Sequence, residues 1–496
     1  MRNIYLFISI AVMAAALVTG SVLVWRSRVV AHAADHGGEV MVPKFEVDPF
    51  WPKPLPNHWI LGMSVGVAVD AHDNVWIVHR PQTLDEKESY LTRSEADCCT
   101  AAPDVLEFDP AGNLIRHWGM AEGHDWPSSN HGITIDSQGN VWLGGNGAYQ
   151  AGPPAGSAAQ FAAPPAPDTA VSAHRVYHDS FILKFSQDGK FLGEIGRANA
   201  SQGSLDTKNV KGVAEIRFIP GTRELFAADG YGNHRVSVWN ADTLQFIRMW
   251  GAYGHTPSDD PLPMYNPDSP QFGNPVHCAV PSNDGLIYVC DRKNLRVQIF
   301  KYDGTFVKQF VLEPHTRGDG SAFEIAFSPD PEQKFMYIAD GSNMKIHVFD
   351  RLSLKELYSF GDGGRQPGEF YAVHNIVTDS KGDIFTTETF HGQRVQKFVY
   401  KGLVPLSEVQ HGGVSAIWPS GAGKSNPRLC RWSMVGVLPR YAHVARLLTR
   451  ISSKGTESKF GPVTLRVVAE LFAVEISYVT RRKVFLDSIL EENHPP

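Results

Sequence analysis

The chain has 496 residues, 43% of them hydrophobic and 11% aromatic, enough to bury a large core. Its net charge of -6, spread over that length, lacks the basic stripe that nucleic-acid binding requires, so no nucleic-acid partner is expected. With 45 Gly and 33 Pro among short apolar runs, the composition predicts many turns and short strands.

Residues 4–25, "IYLFISIAVMAAALVTGSVLVW", form an apolar run between Arg2 and the pair Arg26 and Arg28. Some 20 apolar residues suffice to cross a bilayer, and "AHAAD" offers a small-x-small cleavage site near Ala33. Residues 1–34 therefore read as a signal peptide or an N-terminal membrane anchor. In either case the body is expected to be exported, whether periplasmic, extracellular or anchored facing outside. The five cysteines are Cys98, Cys99, Cys278, Cys290 and Cys430. An odd number leaves at least one unpaired in an oxidising compartment. Adjacent Cys98 and Cys99 are not expected to bond each other, whereas Cys278 and Cys290 fall on strands expected to be neighbours, so a bridge there stays open.

From about residue 55 the chain repeats itself. A strand-like core recurs as "NVWIVHR", "NVWLGGN", "ELFAADG", "LIYVCDR", "FMYIADG" and "DIFTTET". A short strand such as "GVAVD" or "GITID" precedes each core. Each of the first five is followed by a further pair of strands, as in "VLEFDPAGNLIRHWG", and the sixth copy fades after "VQKFVYKGL". A period of about 48 residues with Asp-Gly and Asn-Gly turns gives three to four strands per copy. Six copies predict an all-β, six-bladed β-propeller over residues 44–405, its ring closed by the strand in "KFEVDPFW". The copies resemble the NHL repeat, whose signature is plain in "ADGYGNHRV". Two insertions interrupt the pattern, 81–103 and the Pro/Ala-rich 147–178. The tail 406–496 lacks the repeat grammar, is assigned no function and reads as a helical appendage or disordered. Its "GAGKS" has neither the spacing nor the preceding strand of a phosphate-binding loop.

The copies act as controls for one another. Arg235, Arg296 and Arg394 recur before the third strand and read as structural, as do the turn residues Asp229, Asp291 and Asp340. Histidine alternates: His131, His277 and His374 open the innermost strand of copies two, four and six, and copies one, three and five lack it. Alternate blades of six stand about 120° apart, so three such side chains converge on the axis, and three imidazoles with an open position suit catalytic zinc. On the same rim Arg80 and Arg292 stand where other copies have Gly, Asn or Thr, and Tyr231 follows "ADG". Two guanidiniums can fork a carboxylate, and a phenol among cations is a candidate base.

These residues resemble the peptidyl-α-hydroxyglycine α-amidating lyase (peptidylamidoglycolate lyase) family, from "GVAVDAHDNVWIVHRP" through "NHGITID" and "ADGYGNHRV" to "AVHNIV". The resemblance implies a zinc ion on His131, His277 and His374, Tyr231 as the base, Arg80 stabilising the deprotonated oxygen and Arg292 holding a substrate carboxylate. It also implies a structural calcium ion near Ser64, Ile133 and Asn375, although the family has Asp where this chain has Asn375. The activity implied is cleavage of the C–N bond of an α-hydroxyglycine-type carbinolamide, giving an amide and glyoxylate. The expected partner is a small-molecule or peptide substrate bearing a carboxylate, bound by a monomer. Two other readings stay open: a non-enzymatic NHL-repeat binding scaffold, and a calcium-dependent lactonase or esterase built on oxygen ligands.

Overall fold

The computed structural model describes residues 39–120, 124–147, 178–261 and 263–409. The expected signal or anchor, most of the Pro/Ala-rich insertion and the tail beyond Val409, Cys430 included, lie outside the described residues. Among the described residues no helix is long and apolar enough to cross a membrane.

Each repeat becomes one four-stranded antiparallel sheet, and the six sheets make a six-bladed β-propeller. The innermost strands, in blade order, are Met63–Val69, Asn130–Ile135, Val213–Phe218, Val276–Pro281, Glu324–Phe327 and Val373–Thr378. As "KFEVDPFW" suggests, Met41–Asp48 closes the ring as the outer strand of blade six, pairing antiparallel with Arg394–Pro405. The closure reaches slightly past the expected bounds, since the Leu406 N–H donates to the Val40 carbonyl at 2.8 Å.

Core strands such as "VWIVHR" are buried at every position because both faces of each sheet are covered. The apolar clusters lie between neighbouring blades. One joins Val65, Trp76 and Val78 of blade one to Ile133, Val141 and Leu143 of blade two. The recurring Asp-x-x-x-Asn turns anchor these layers. Asp70 and Asp136 each accept the indole N–H of the tryptophan six residues on, at 3.2 and 3.1 Å, and cap their own turn. Gly139 supplies the left-handed backbone (φ +82°) that closes the second of them.

The recurring arginines are structural, as the repeat comparison predicts. Arg235 Nε meets Asp229 Oδ2 and Arg296 Nε meets Asp291 Oδ2, both at 2.8 Å with all four side chains fully buried. Blade five carries Lys345 at that place, and His347, two residues on, becomes the partner of Asp340. His347 is 1% exposed, with Nδ1 at 2.9 Å from Glu356 and Nε2 at 3.4 Å from Asp340. Burial opposes its charge, but the two carboxylates hold its pKa up at about 9, above its ordinary 6.5. A raised histidine stabilises the fold fully below its unfolded value and loses that contribution as pH rises through the folded one. Stability is thus expected to fall by about 2–3 kcal/mol between pH about 6.5 and 9, discounted for the half-exposed Glu356. Melting curves across that range check this, and His347→Gln should flatten the decline.

The cysteines correct one expectation. Cys278 and Cys290 face each other in the pairing of the two inner strands of blade four and are joined. Cys98 and Cys99, expected to stay apart, are joined as well, just before the short strand Thr100–Ala101. Their peptide bond is cis, which brings the two Cα atoms to 3.1 Å.

Candidate active site

The alternation of histidines becomes a cluster on the channel axis. His131, His277 and His374 are 1%, 0% and 3% exposed, and their ring centroids lie 4.7–5.1 Å apart. The residues at the same place in blades one, three and five are Val65, Ala214 and Phe323, and their carbonyls orient the rings. His131 Nδ1 reaches Ala214 O at 2.7 Å, His277 Nδ1 reaches Phe323 O at 2.6 Å and His374 Nδ1 reaches Val65 O at 3.0 Å. A carbonyl only accepts, so each Nδ1 carries the hydrogen and each Nε2 keeps its lone pair. Burial, helped by the neighbouring cations, pushes all three histidines well below their ordinary range, so they are neutral at pH 7.

This donor set fits a metal ion. One ring nitrogen from each histidine lies within 4.8 Å of the others, and His277 Nε2 is buried without a hydrogen-bond partner. Bringing the three to the spacing of about 3–3.5 Å around one ion takes shifts of about an ångström.

Tyr231 stands beside the cluster. Its hydroxyl lies 3.0 Å from His131 Nε2, to which it donates, and accepts from Arg292 Nη1 at 3.4 Å. The turn carrying it presses on blade four: a Cβ on Gly230 would fall 2.2 Å from the Val276 backbone, so only glycine fits there. Asn274 then holds the Tyr231 carbonyl at 2.6 Å.

Strand pairing puts Arg80, Asn146, Gly230, Arg292, Gly341 and Thr389 at one level of the six blades, which makes the two arginines true exceptions to the repeat. Arg80 donates to Asn130 O and Asn146 Oδ1, each at 2.9 Å. Arg292 lies 4.5 Å over the Phe323 ring, and its Nε is buried without a partner. The two are only 5% and 6% exposed, and neither forms an ion pair among the described residues. Burial lowers Arg80 to about 10, against the pull of Tyr231 and Asp179, and it stays charged at pH 7. Two buried cations without an ion-pair partner among the described residues, beside neutral histidines, make a site that favours an anion.

All of the expected histidine, tyrosine and arginine side chains except His277 line one cleft, and the His277 ring lies within about 5 Å of those of His131 and His374. Asp319, Phe323, Thr389 and Phe390 complete it. Of these four, Phe323 shares the register of the histidines and Thr389 that of the arginines, so comparison of the repeats could have found both.

No family model matches the chain. Rat peptidylglycine alpha-amidating monooxygenase is 24% identical over 372 residues, which are 72% of this chain and 33% of that protein. A Drosophila melanogaster peptidyl-alpha-hydroxyglycine alpha-amidating lyase is 23% identical over 379 residues, 72% of this chain and 60% of that one. The propeller resembles the amidating lyases. It spans about a third of the rat relative, so the amidating-lyase likeness is to part of a longer protein. Among solved structures, a catalytically inactive virginiamycin B lyase from Staphylococcus aureus aligns at TM-score 0.39 and 12% identity. That alignment covers 76% of this chain and 93% of the other, and at so low a score it carries nothing for the site.

The calcium ion implied by the amidating-lyase resemblance fits less well. Ser64 turns its hydroxyl to Gly62 O at 3.3 Å, and Ile133 is a buried strand residue. Asn375 accepts from Val67 N at 3.4 Å and donates its amide to Glu324 at 3.1 Å. None of the three offers a carboxylate, so a calcium ion there would rest on neutral oxygens alone.

Proposed function

We propose that this propeller is a zinc-dependent carbon–nitrogen lyase, acting on an α-hydroxyglycine-type carbinolamide to give an amide and glyoxylate. The observation that carries the reading is the Tyr231 hydroxyl, 3.0 Å from a candidate metal ligand and 3.4 Å from a buried arginine that has no carboxylate partner among the described residues. A zinc ion on His131, His277 and His374 would supply a Lewis acid for the substrate hydroxyl.

The chain's own groups do the rest. Arg292, flat against Phe323, holds the substrate carboxylate. Tyr231, acting as its phenolate, takes the hydroxyl proton, the carbon–oxygen double bond forms, and the C–N bond breaks with its electron pair going to nitrogen. Tyr231 then returns the proton to that nitrogen, so the products are an uncharged amide and glyoxylate, with no change of redox state. Arg80 offsets negative charge on the oxygens during the transfer. The reading places the enzyme outside the cytoplasm as an exported monomer, with a substrate that is a small molecule or a peptide.

Metal content and turnover test this together. Purified protein is expected to hold about one zinc ion per chain and to release glyoxylate from a hydroxyglycine amide. His277→Ala should lose both. Glyoxylate release by metal-free protein, or a metal-loaded protein without it, overturns the reading.

A further inference from the structure

Behind the histidine layer the channel holds a second buried cluster. The next residue in blade three is Glu215, in blade four Cys278, in blade five Glu324 and in blade six Asn375. Glu215 and Glu324 are 2% and 0% exposed, and one oxygen of each lies within 4.8 Å of Cys278 Sγ and of the other. Cys278 is bonded to Cys290 and offers no thiolate. Two carboxylates on opposite sides of blade four would be a natural seat for a divalent cation.

The positive charge there is already part of the chain. Arg217 lies two residues after Glu215, hence on the same face of its strand. Its Nε pairs with Glu215 Oε1, and its Nη2 lies 3.7 Å from Glu324 Oε1. The remaining oxygens are also engaged. Glu215 Oε2 accepts from Ala279 N, Glu324 Oε1 from Ile325 N and Glu324 Oε2 from the Asn375 amide, each at 3.1 Å. Asn375 thus presents a donor to the cluster, the wrong polarity for a metal ligand. The Arg217 guanidinium thus stands against both carboxylates, in the place a dication would take.

We propose that Arg217 is the resident cation of this channel, tying Glu215 of blade three to Glu324 of blade five in place of a divalent metal ion. The fold then needs no calcium, and metal is confined to the three histidines.

The test reads metal content and melting temperature, not turnover, so it stands apart from the lyase reading. Wild-type protein equilibrated with about 5 mM Ca²⁺ and desalted is expected to keep below about 0.1 calcium per chain, with an unchanged melting temperature. About one calcium per chain, with a calcium-raised melting temperature, overturns the proposal. Arg217→Met leaves two buried carboxylates without a counter-charge. It should melt lower in calcium-free buffer and recover by about 5 °C or more on adding calcium. Adding Glu324→Gln to that variant should abolish the recovery. An Arg217→Met protein that melts like wild type and ignores calcium also overturns the proposal. If that variant does not accumulate, the wild-type measurement decides by itself.

Discussion

Replacing Tyr231 by phenylalanine is expected to lower kcat for glyoxylate release by about 10²–10⁴ while leaving KM nearly unchanged. The substitution removes one oxygen from a ring that is 6% exposed and packed in the apolar cluster between blades three and four. The fold should survive, because Tyr231 is held by its backbone: its N–H donates to Gly212 O at 3.0 Å and its carbonyl accepts from Asn274. His131 keeps its bond to Ala214, so metal content should also persist. Arg292→Ala should behave differently. Its guanidinium is assigned to the substrate carboxylate, so KM should rise, and the penalty should shrink for a substrate without that group. A Tyr231→Phe enzyme at the parent rate would remove the tyrosine from the chemistry.

The largest expected loss of stability comes from Arg235. It is wholly buried and forms the pair with Asp229, and its other nitrogens hold the carbonyls of Ser204 and Asn209 at 2.9 Å. Arg235→Met should cost about 3–5 kcal/mol, because it strands a buried carboxylate and orphans those carbonyls. Lysine should not rescue it, since a single ammonium cannot span contacts that a planar fork makes in several directions. Converting Asp229 to Asn in the same chain should recover part of the loss, because no lone charge then remains. Denaturation curves for the single and double variants check this, and strictly additive losses would contradict the pairing.

The histidine site was legible because the repeats supply their own background. A residue that breaks register in alternate copies stands out, and the geometry of six blades turns that alternation into convergence. The arginines at Asp229 and Asp291 were legible for the opposite reason, by recurring. Phe323 escaped because an aromatic just before an innermost strand reads as core, although it also lines the cleft under Arg292. Asp319 and Phe390 escaped because they lie on turns, where no periodicity constrains the side chain. Glu215 and Arg217 share a strand and Glu324 lies over a hundred residues on, so only the closed ring shows that they form one cluster.

Ring closure also sets an order of events during synthesis. The strand Met41–Asp48 emerges first, but its partner Arg394–Pro405 follows roughly 350 residues later, a wait of about 17–70 s at ordinary translation rates. Until then the first strand has no sheet to join and blade six lacks its outer edge. Closing the ring also brings blade six beside blade one, where the Val65 carbonyl aligns His374 of the histidine cluster. A nascent or N-terminally clipped chain can therefore carry all three histidines and still lack a finished site, and the ability to hold metal becomes a readout of whether the circle has been completed.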